Sequence, residues 1–118
     1  MKKVLICDDD AGIVDVAGIV LREAGYDVTT LTTSEKIFSV IKDIEPDIIL
    51  IDLWMPNLSG EQIVMELKKK EKTKSIPVII MSASRKTEDT ALHTGAEGFI
   101  CKPFDIEELE DIVRKYTA

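Results

Sequence analysis

At 118 residues the chain is long enough for one core and too short for two, so a single domain spanning residues 1–118 is expected. Its composition, 45% apolar and 31% charged, excludes a disordered or fibrous protein and fits a soluble globular one. A formal net charge of −7 argues against direct binding of nucleic acid or an anionic membrane, both of which need a basic face, and favours cations or basic surfaces as partners.

Met-Lys-Lys at the start is followed by only four apolar residues, too few for a secretory signal, and no run approaches the length that spans a bilayer; a cytoplasmic location is therefore expected. Lys3 to Cys7 (KVLIC) predicts a buried strand that ends in Asp8-Asp9-Asp10. Ile13, Val14, Ala17, Val20, Leu21 and Ala24 then fall on one helical face, and Gly25 stops that helix. Tyr26 to Thr30 is shorter and more polar, as an edge strand would be. Thr32 with Glu35 predicts a capping box ahead of a helix whose face is Ile37, Phe38, Ile41 and Ile44, closed by Pro46.

Asp47 to Asp52 (DIILID) carries four consecutive apolar residues and predicts a strand buried on both faces, with Asp52 at its carboxyl end. Desolvating a carboxylate there is costly without a metal, hydrogen bonds or an opposite charge, so its partners are sought elsewhere in the chain. Met55-Pro56-Asn57 reads as a turn, and Ser59 with Gln62 matches a capping box opening a helix with Ile63, Val64 and Leu67 inward. The charge run Lys68 to Lys74 reads as a solvated helix end and loop.

Ile76 to Ser82 predicts a fourth buried strand with Pro77 near its start, where no ladder donor is needed. Lys86 to Thr94 offers only Ala91 and Leu92 as apolar residues, which makes this helix the element most free to shift. His93, the sole histidine, suits the negative end of that helix dipole better than a ligand role. Glu97 to Lys102 is the fifth strand, and Asp105 with Glu108 caps a last helix facing inward through Ile106, Leu109, Ile112, Val113 and Tyr116. Cys7 and Cys101 lie in apolar runs and read as small buried hydrophobes.

Alternating strands and helices imply an α/β fold, a parallel sheet with helices on both faces, whose ligands bind beyond the carboxyl ends of the strands. The residues at those ends are Asp8, Asp9 and Asp10, then Asp52, Ser82 and Lys102. Carboxylates, a hydroxyl and one ammonium at a single edge suit a hard divalent cation together with an oxyanion: carboxylate oxygens take Mg²⁺, while the lysine and the hydroxyl take phosphoryl oxygens.

With the acidic pair after the first strand, Asp52-Leu-Trp-Met-Pro56 and Gly60 after the third, Ser82-Ala83 after the fourth and Lys102-Pro103-Phe104 after the fifth, the chain resembles the receiver domains of two-component response regulators along essentially its whole length. The resemblance implies a flavodoxin-like (βα)5 fold with strand order 2-1-3-4-5. It also implies a phosphorylation-activated switch in which Asp52 accepts a phosphoryl group from a phosphohistidine of a sensor histidine kinase or phosphotransfer protein. By the same resemblance Mg²⁺ is held by Asp9, by Asp8 through water, by Asp52 and by the carbonyl of Trp54. Lys102 pairs with the phosphoryl group, Ser82 moves toward it and Phe99 turns inward. The surface of the fourth helix, fifth strand and fifth helix then changes for an unidentified effector. Such a domain assists its own phosphorylation and dephosphorylation without being a turnover enzyme. Two positions depart from the commonest members: Ser82 stands where threonine is more frequent, and Trp54 where many relatives carry a smaller or polar group.

Two other functions compete. Asp8 and Asp10 echo the Asp-x-Asp of Mg²⁺-dependent phosphatases of the haloacid-dehalogenase type, although such enzymes need a later acidic pair and usually a cap domain. A receiver-like interaction module that is never phosphorylated is the other.

Overall fold

The computed structural model describes every residue from Met1 to Ala118. Along the chain run β1 (Lys3–Cys7), α1 (Ala11–Glu23), β2 (Asp27–Leu31), α2 (Ile37–Ile44), β3 (Ile48–Asp52), α3 (Gly60–Lys69), β4 (Val78–Ser82), α4 (Glu88–His93), β5 (Gly98–Cys101) and α5 (Ile106–Thr117). All neighbouring strands are parallel, in the order β2-β1-β3-β4-β5, so the flavodoxin-like doubly wound sheet is present and the polar β2 is an edge.

Successive side chains of a strand point to opposite faces, and the inner strands are apolar on both. Val4, Ile6, Ile48, Leu50, Ile79 and Met81 pack on one face with Val14, Ala17 and Leu21 of α1 and with Leu109 and Val113 of α5. Leu5, Cys7, Ile49, Ile51, Val78 and Ile80 pack on the other with Ile37 and Ile41 of α2, Ile63, Val64 and Leu67 of α3, and Ala91 of α4. β3 and β4 are buried at every residue. Fully burying a side chain such as Leu50 contributes about 1.5–3 kcal/mol, which is why the two apolar faces dictate a two-sided helical cover.

Several boundaries differ from the sequence expectation, each for a local reason. The Thr32–Glu35 capping box does not form: α2 begins at Ile37 after Lys36, with no side-chain cap. The buried hydroxyl nearby is that of Ser34, which donates to the Pro56 carbonyl at 3.3 Å and ties this turn to the loop after β3. By contrast the Ser59–Gln62 box is complete, with Ser59 Oγ accepting from Gln62 N–H at 3.2 Å and Gln62 Oε1 from Ser59 N–H at 3.0 Å. Ala24 and Ile106 are exposed rather than inward, and Cys101 is only partly buried. Lys68 does not belong to a solvated run. Its ammonium donates to Glu97 at 2.8 Å and to the Ile76 carbonyl at 2.8 Å, clasping α3 to the strands beside it.

The Lys86–Thr94 segment is a 3₁₀ turn at Arg85–Thr87 followed by a six-residue α4 with Ala91 as its one buried residue. His93 Nδ1 lies 2.6 Å from the Asp89 carbonyl, which can only accept, so this nitrogen carries the proton in the last turn of α4. Gly25 sits at φ +98 just after α1, where a Cβ would be strained. No helix is long and apolar enough to cross a membrane.

Candidate functional site

Register alone brings the first two carboxylates together. Cys7 of β1 is paired with Ile51 of β3, so the next residues, Asp8 and Asp52, leave adjacent strands side by side. Asp8 is fully buried and Asp52 is 6% exposed, while Asp9 is open to solvent. Ligating oxygens of Asp8, Asp9 and Asp52 all lie within 4.8 Å of one another. Gly60 keeps this edge tight: its N–H donates to the Leu53 carbonyl at 3.0 Å, and a Cβ there would overlap the Asp52 carbonyl oxygen.

Lys102 starts from the end of β5, two strand spacings, or about 10 Å, from Asp52, and only a long stem covers that gap. Its ammonium donates to Asp52 Oδ1 at 3.1 Å and lies 2.6 Å from Asp8 Oδ2. The second contact is a close ion pair, and the ammonium is the one partner of Asp8 Oδ2. Its other oxygen, Oδ1, accepts from Asp10 N–H at 2.9 Å. Three carboxylates against one ammonium leave the site with excess negative charge. That donor set fits a hard, oxygen-loving divalent cation.

The electrostatics follow from burial. Desolvation, reinforced by the Asp8 charge, pushes the Asp52 carboxyl up to about 6, against the pull of the Lys102 hydrogen bond and charge. Burial alone would lower the Lys102 ammonium, but its close contacts with Asp8 and Asp52 outweigh this and hold it above its ordinary value. Cys7, beneath the site, is pushed up to about 12 by burial and then by Asp8, Asp52 and Asp9, which makes it an inert thiol.

Not every residue singled out in the sequence converges. Ser82 is buried at the end of β4, but its hydroxyl faces the following loop, accepting from Thr87 Oγ1 at 2.8 Å and from Ser84 N–H at 3.3 Å. Phe99 is half-buried and lines a shallow cavity with Arg85, Ile112 and Lys115. The Trp54 ring is 63% exposed, so it is a surface group on the loop after β3 and not a lid over the carboxylates. Asp10 turns its carboxylate to the Gly12 and Ile13 N–H groups as the N-cap of α1. It is therefore engaged away from Asp8, and the phosphatase-like Asp-x-Asp pair does not form. Sequence reasoning missed Thr87, whose only signal is a cluster of hydroxyl residues between Ser82 and Thr87. Beside the site, Ile13, Val16, Pro103 and Phe104 line a largely apolar cavity of about 580 Å³ that reaches Lys102.

Comparison with known proteins adds to this geometry. The family model described as the response regulator receiver domain matches residues 4–114. The chain is 35% identical over 116 residues to the DNA-binding dual master transcriptional regulator RpaA of Synechocystis, covering 97% of this chain and 48% of that protein. It is 36% identical over 110 residues to the phosphate regulon transcriptional regulatory protein PhoB of Pseudomonas aeruginosa, covering 92% and 48%. The chain thus spans about half the length of the curated relatives it matches. Among solved structures, the chemotaxis response regulator CheY4 of Vibrio cholerae superposes with a TM-score of 0.92 at 25% identity, covering 98% of both chains.

Proposed function

Because the chain belongs to the response regulator receiver domain family of two-component systems, we propose that residues 1–118 form one phosphorylation-activated switch whose phospho-acceptor is Asp52. The observation that supports this most is the lone ammonium of Lys102 held between Asp8 and Asp52 in a cluster of three carboxylates. A nucleophilic carboxylate must reach phosphorus while charge builds on the phosphoryl oxygens, and a positioned cation is what makes that possible.

In the proposed step an Asp52 oxygen attacks phosphorus as the P–N bond of a donor phosphohistidine breaks, and the bonding pair leaves with the imidazole nitrogen. Lys102 gives up Asp52 Oδ1 and pairs with a phosphoryl oxygen. Asp9 and Asp52, the Trp54 carbonyl, and Asp8 through water would hold Mg²⁺, which when bound neutralises charge on the transferring group. The hydroxyl of Ser82 then turns from the loop to a phosphoryl oxygen, and Phe99 moves into the space this leaves. Water attack on the acyl phosphate resets the switch, with access past the exposed Trp54 loop governing its rate.

The donor is a sensor histidine kinase or a phosphotransfer protein. The apolar cavity walled by Ile13, Val16 and Phe104, with Val16 59% exposed, gives such a donor a surface to press on beside Asp52. Output runs through α4, β5 and α5 to an effector, and the net charge of −7 supports an output face that does not itself touch nucleic acid. A cytoplasmic location goes with this choice of donor.

Incubation with Mg²⁺ and acetyl phosphate, followed by intact-mass measurement, tests the proposal. The expected product carries one phosphoryl group on wild type and none on Asp52→Asn. Failure of several phosphodonors to label wild type would favour the unphosphorylated interaction module, and catalytic turnover of a phosphomonoester would favour a phosphatase.

A further inference from the structure

We propose that Thr87 is a positioning residue that holds Ser82 in its resting rotamer and ties the phosphorylation state of Asp52 to the 3₁₀ turn that leads into α4. The inference rests on the role given to Ser82 above and extends it to a residue that no motif marks.

Ser82 lacks the methyl that restricts a threonine rotamer, so its hydroxyl direction must be set from outside. Thr87 sets it. Thr87 Oγ1 approaches Ser82 Oγ at 2.8 Å and the Ser84 carbonyl at 2.6 Å, and its single proton serves one of these acceptors at a time. Ser84 completes the clasp, its N–H donating to Ser82 Oγ at 3.3 Å. With Ser82 only 1% exposed, water does not compete for the bond.

Thr87 is also the last residue of the 3₁₀ turn Arg85–Thr87, which runs straight into α4 and is capped by Ser84, whose Oγ accepts from Lys86 N–H at 3.3 Å. In the resting protein the Thr87 hydroxyl joins the end of β4 to the entry of α4 through Ser82 and Ser84. When Ser82 turns to a phosphoryl oxygen it leaves Thr87, and the turn that leads into α4 loses its tie to the end of β4. The switch residue and the entry to α4 are thereby coupled through one hydroxyl.

The test measures the apparent affinity of the Mg²⁺-loaded protein for beryllium trifluoride, a phosphoryl mimic, in wild type, Thr87→Val, Thr87→Ser and Ser82→Ala, and in Ser82→Ala combined with Thr87→Val. Thr87→Val keeps the shape and removes the hydroxyl. It should tighten binding by roughly two- to tenfold, the population shift expected from one net hydrogen bond in the resting state. Thr87→Ser should recover the wild-type affinity, and in the Ser82→Ala background Thr87→Val should have no effect. Unchanged or weaker binding by Thr87→Val overturns the latch, as does an effect that persists without the Ser82 hydroxyl; a merely structural role for Thr87 would give that persistence. The phospho-acceptor proposal fails separately, by absence of labelling on Asp52 in wild type.

Discussion

Asp52 is a carboxyl caught between two opposing influences, desolvation with the Asp8 charge on one side and the Lys102 ammonium on the other, and the first side wins by enough to bring it up to about 6. Taking Lys102 away removes the only influence near it that favours the anion. We expect the Asp52 carboxyl carbon, followed by NMR in metal-free buffer, to titrate near pH 6 in wild type and at a higher pH in Lys102→Met; a downward shift would mean that Lys102 does not face Asp52 in solution. Mg²⁺ takes the anionic form, so its affinity should fall as pH drops through about 6. Trp54, two residues along, reports on this: its fluorescence should change saturably with Mg²⁺ and again with acetyl phosphate, modestly because the ring is 63% exposed. The second change should be missing in Asp52→Asn, and its persistence there would separate it from Asp52 chemistry. The carboxylates and Lys102 were legible in the sequence because each follows an apolar strand, and strand ends converge by topology. Thr87 and Lys68 were not, because their partners are chosen by loop geometry: a hydroxyl five residues away in one case, and Glu97 across two elements in the other.

At the scale of elements, legibility follows how much a segment buries. The strands and the inward faces of α2 and α3 were readable because apolar periodicity reflects burial directly, and the Ser59–Gln62 box because both halves of its pattern are local. Thr32–Glu35 has the same pattern and fails, since Ser34 next to it is drawn into a long-range bond with Pro56 that the pattern cannot express. The outward faces misled for a similar reason: Ile106 is apolar yet 56% exposed, beyond the reach of the sheet. α4 is the least anchored helix, with Ala91 alone buried, and few buried contacts mean a low cost of rearrangement. Beryllium trifluoride with Mg²⁺ should therefore change amide hydrogen exchange chiefly between Ser82 and Phe104. Changes confined to Asp8–Gly12 and Asp52–Gly60 would show a signal that stays at the site.

Across the whole molecule the site is a local burden on the fold that a bound divalent cation would relieve. Like charges no more than 4.8 Å apart cost about 3 kcal/mol per pair at an effective dielectric near 20, before Lys102 and solvent reduce it. Removing the exposed member by Asp9→Ala should raise the metal-free melting temperature by roughly 2–5 °C and blunt the stabilisation by Mg²⁺. A lowered melting temperature with full Mg²⁺ stabilisation would show that Asp9 lies outside the cluster.

The pH dependence carries the same burden with a defined sign. Asp52 has a folded value of about 6 against an ordinary 3.8, so between these the native state binds the extra proton and stability falls as pH rises. Its favourable share is complete below about pH 4 and lost once pH passes about 6. Other carboxylates titrate over the same range, so the quantity to measure is a difference: the melting temperature of Asp52→Asn minus that of wild type, in metal-free buffer from pH 4 to 8. An asparagine stays neutral throughout, so the difference should rise from its value at pH 4 to a plateau above pH 6.5, with Asp52→Asn the more stable protein there. Saturating Mg²⁺ should stabilise wild type more than the variant, because only wild type offers the Asp52 carboxylate, and should flatten or reverse the plateau. A flat difference without metal would mean that Asp52 ionises as easily in the fold as in water, and the burial that raises its carboxyl would then not hold in solution.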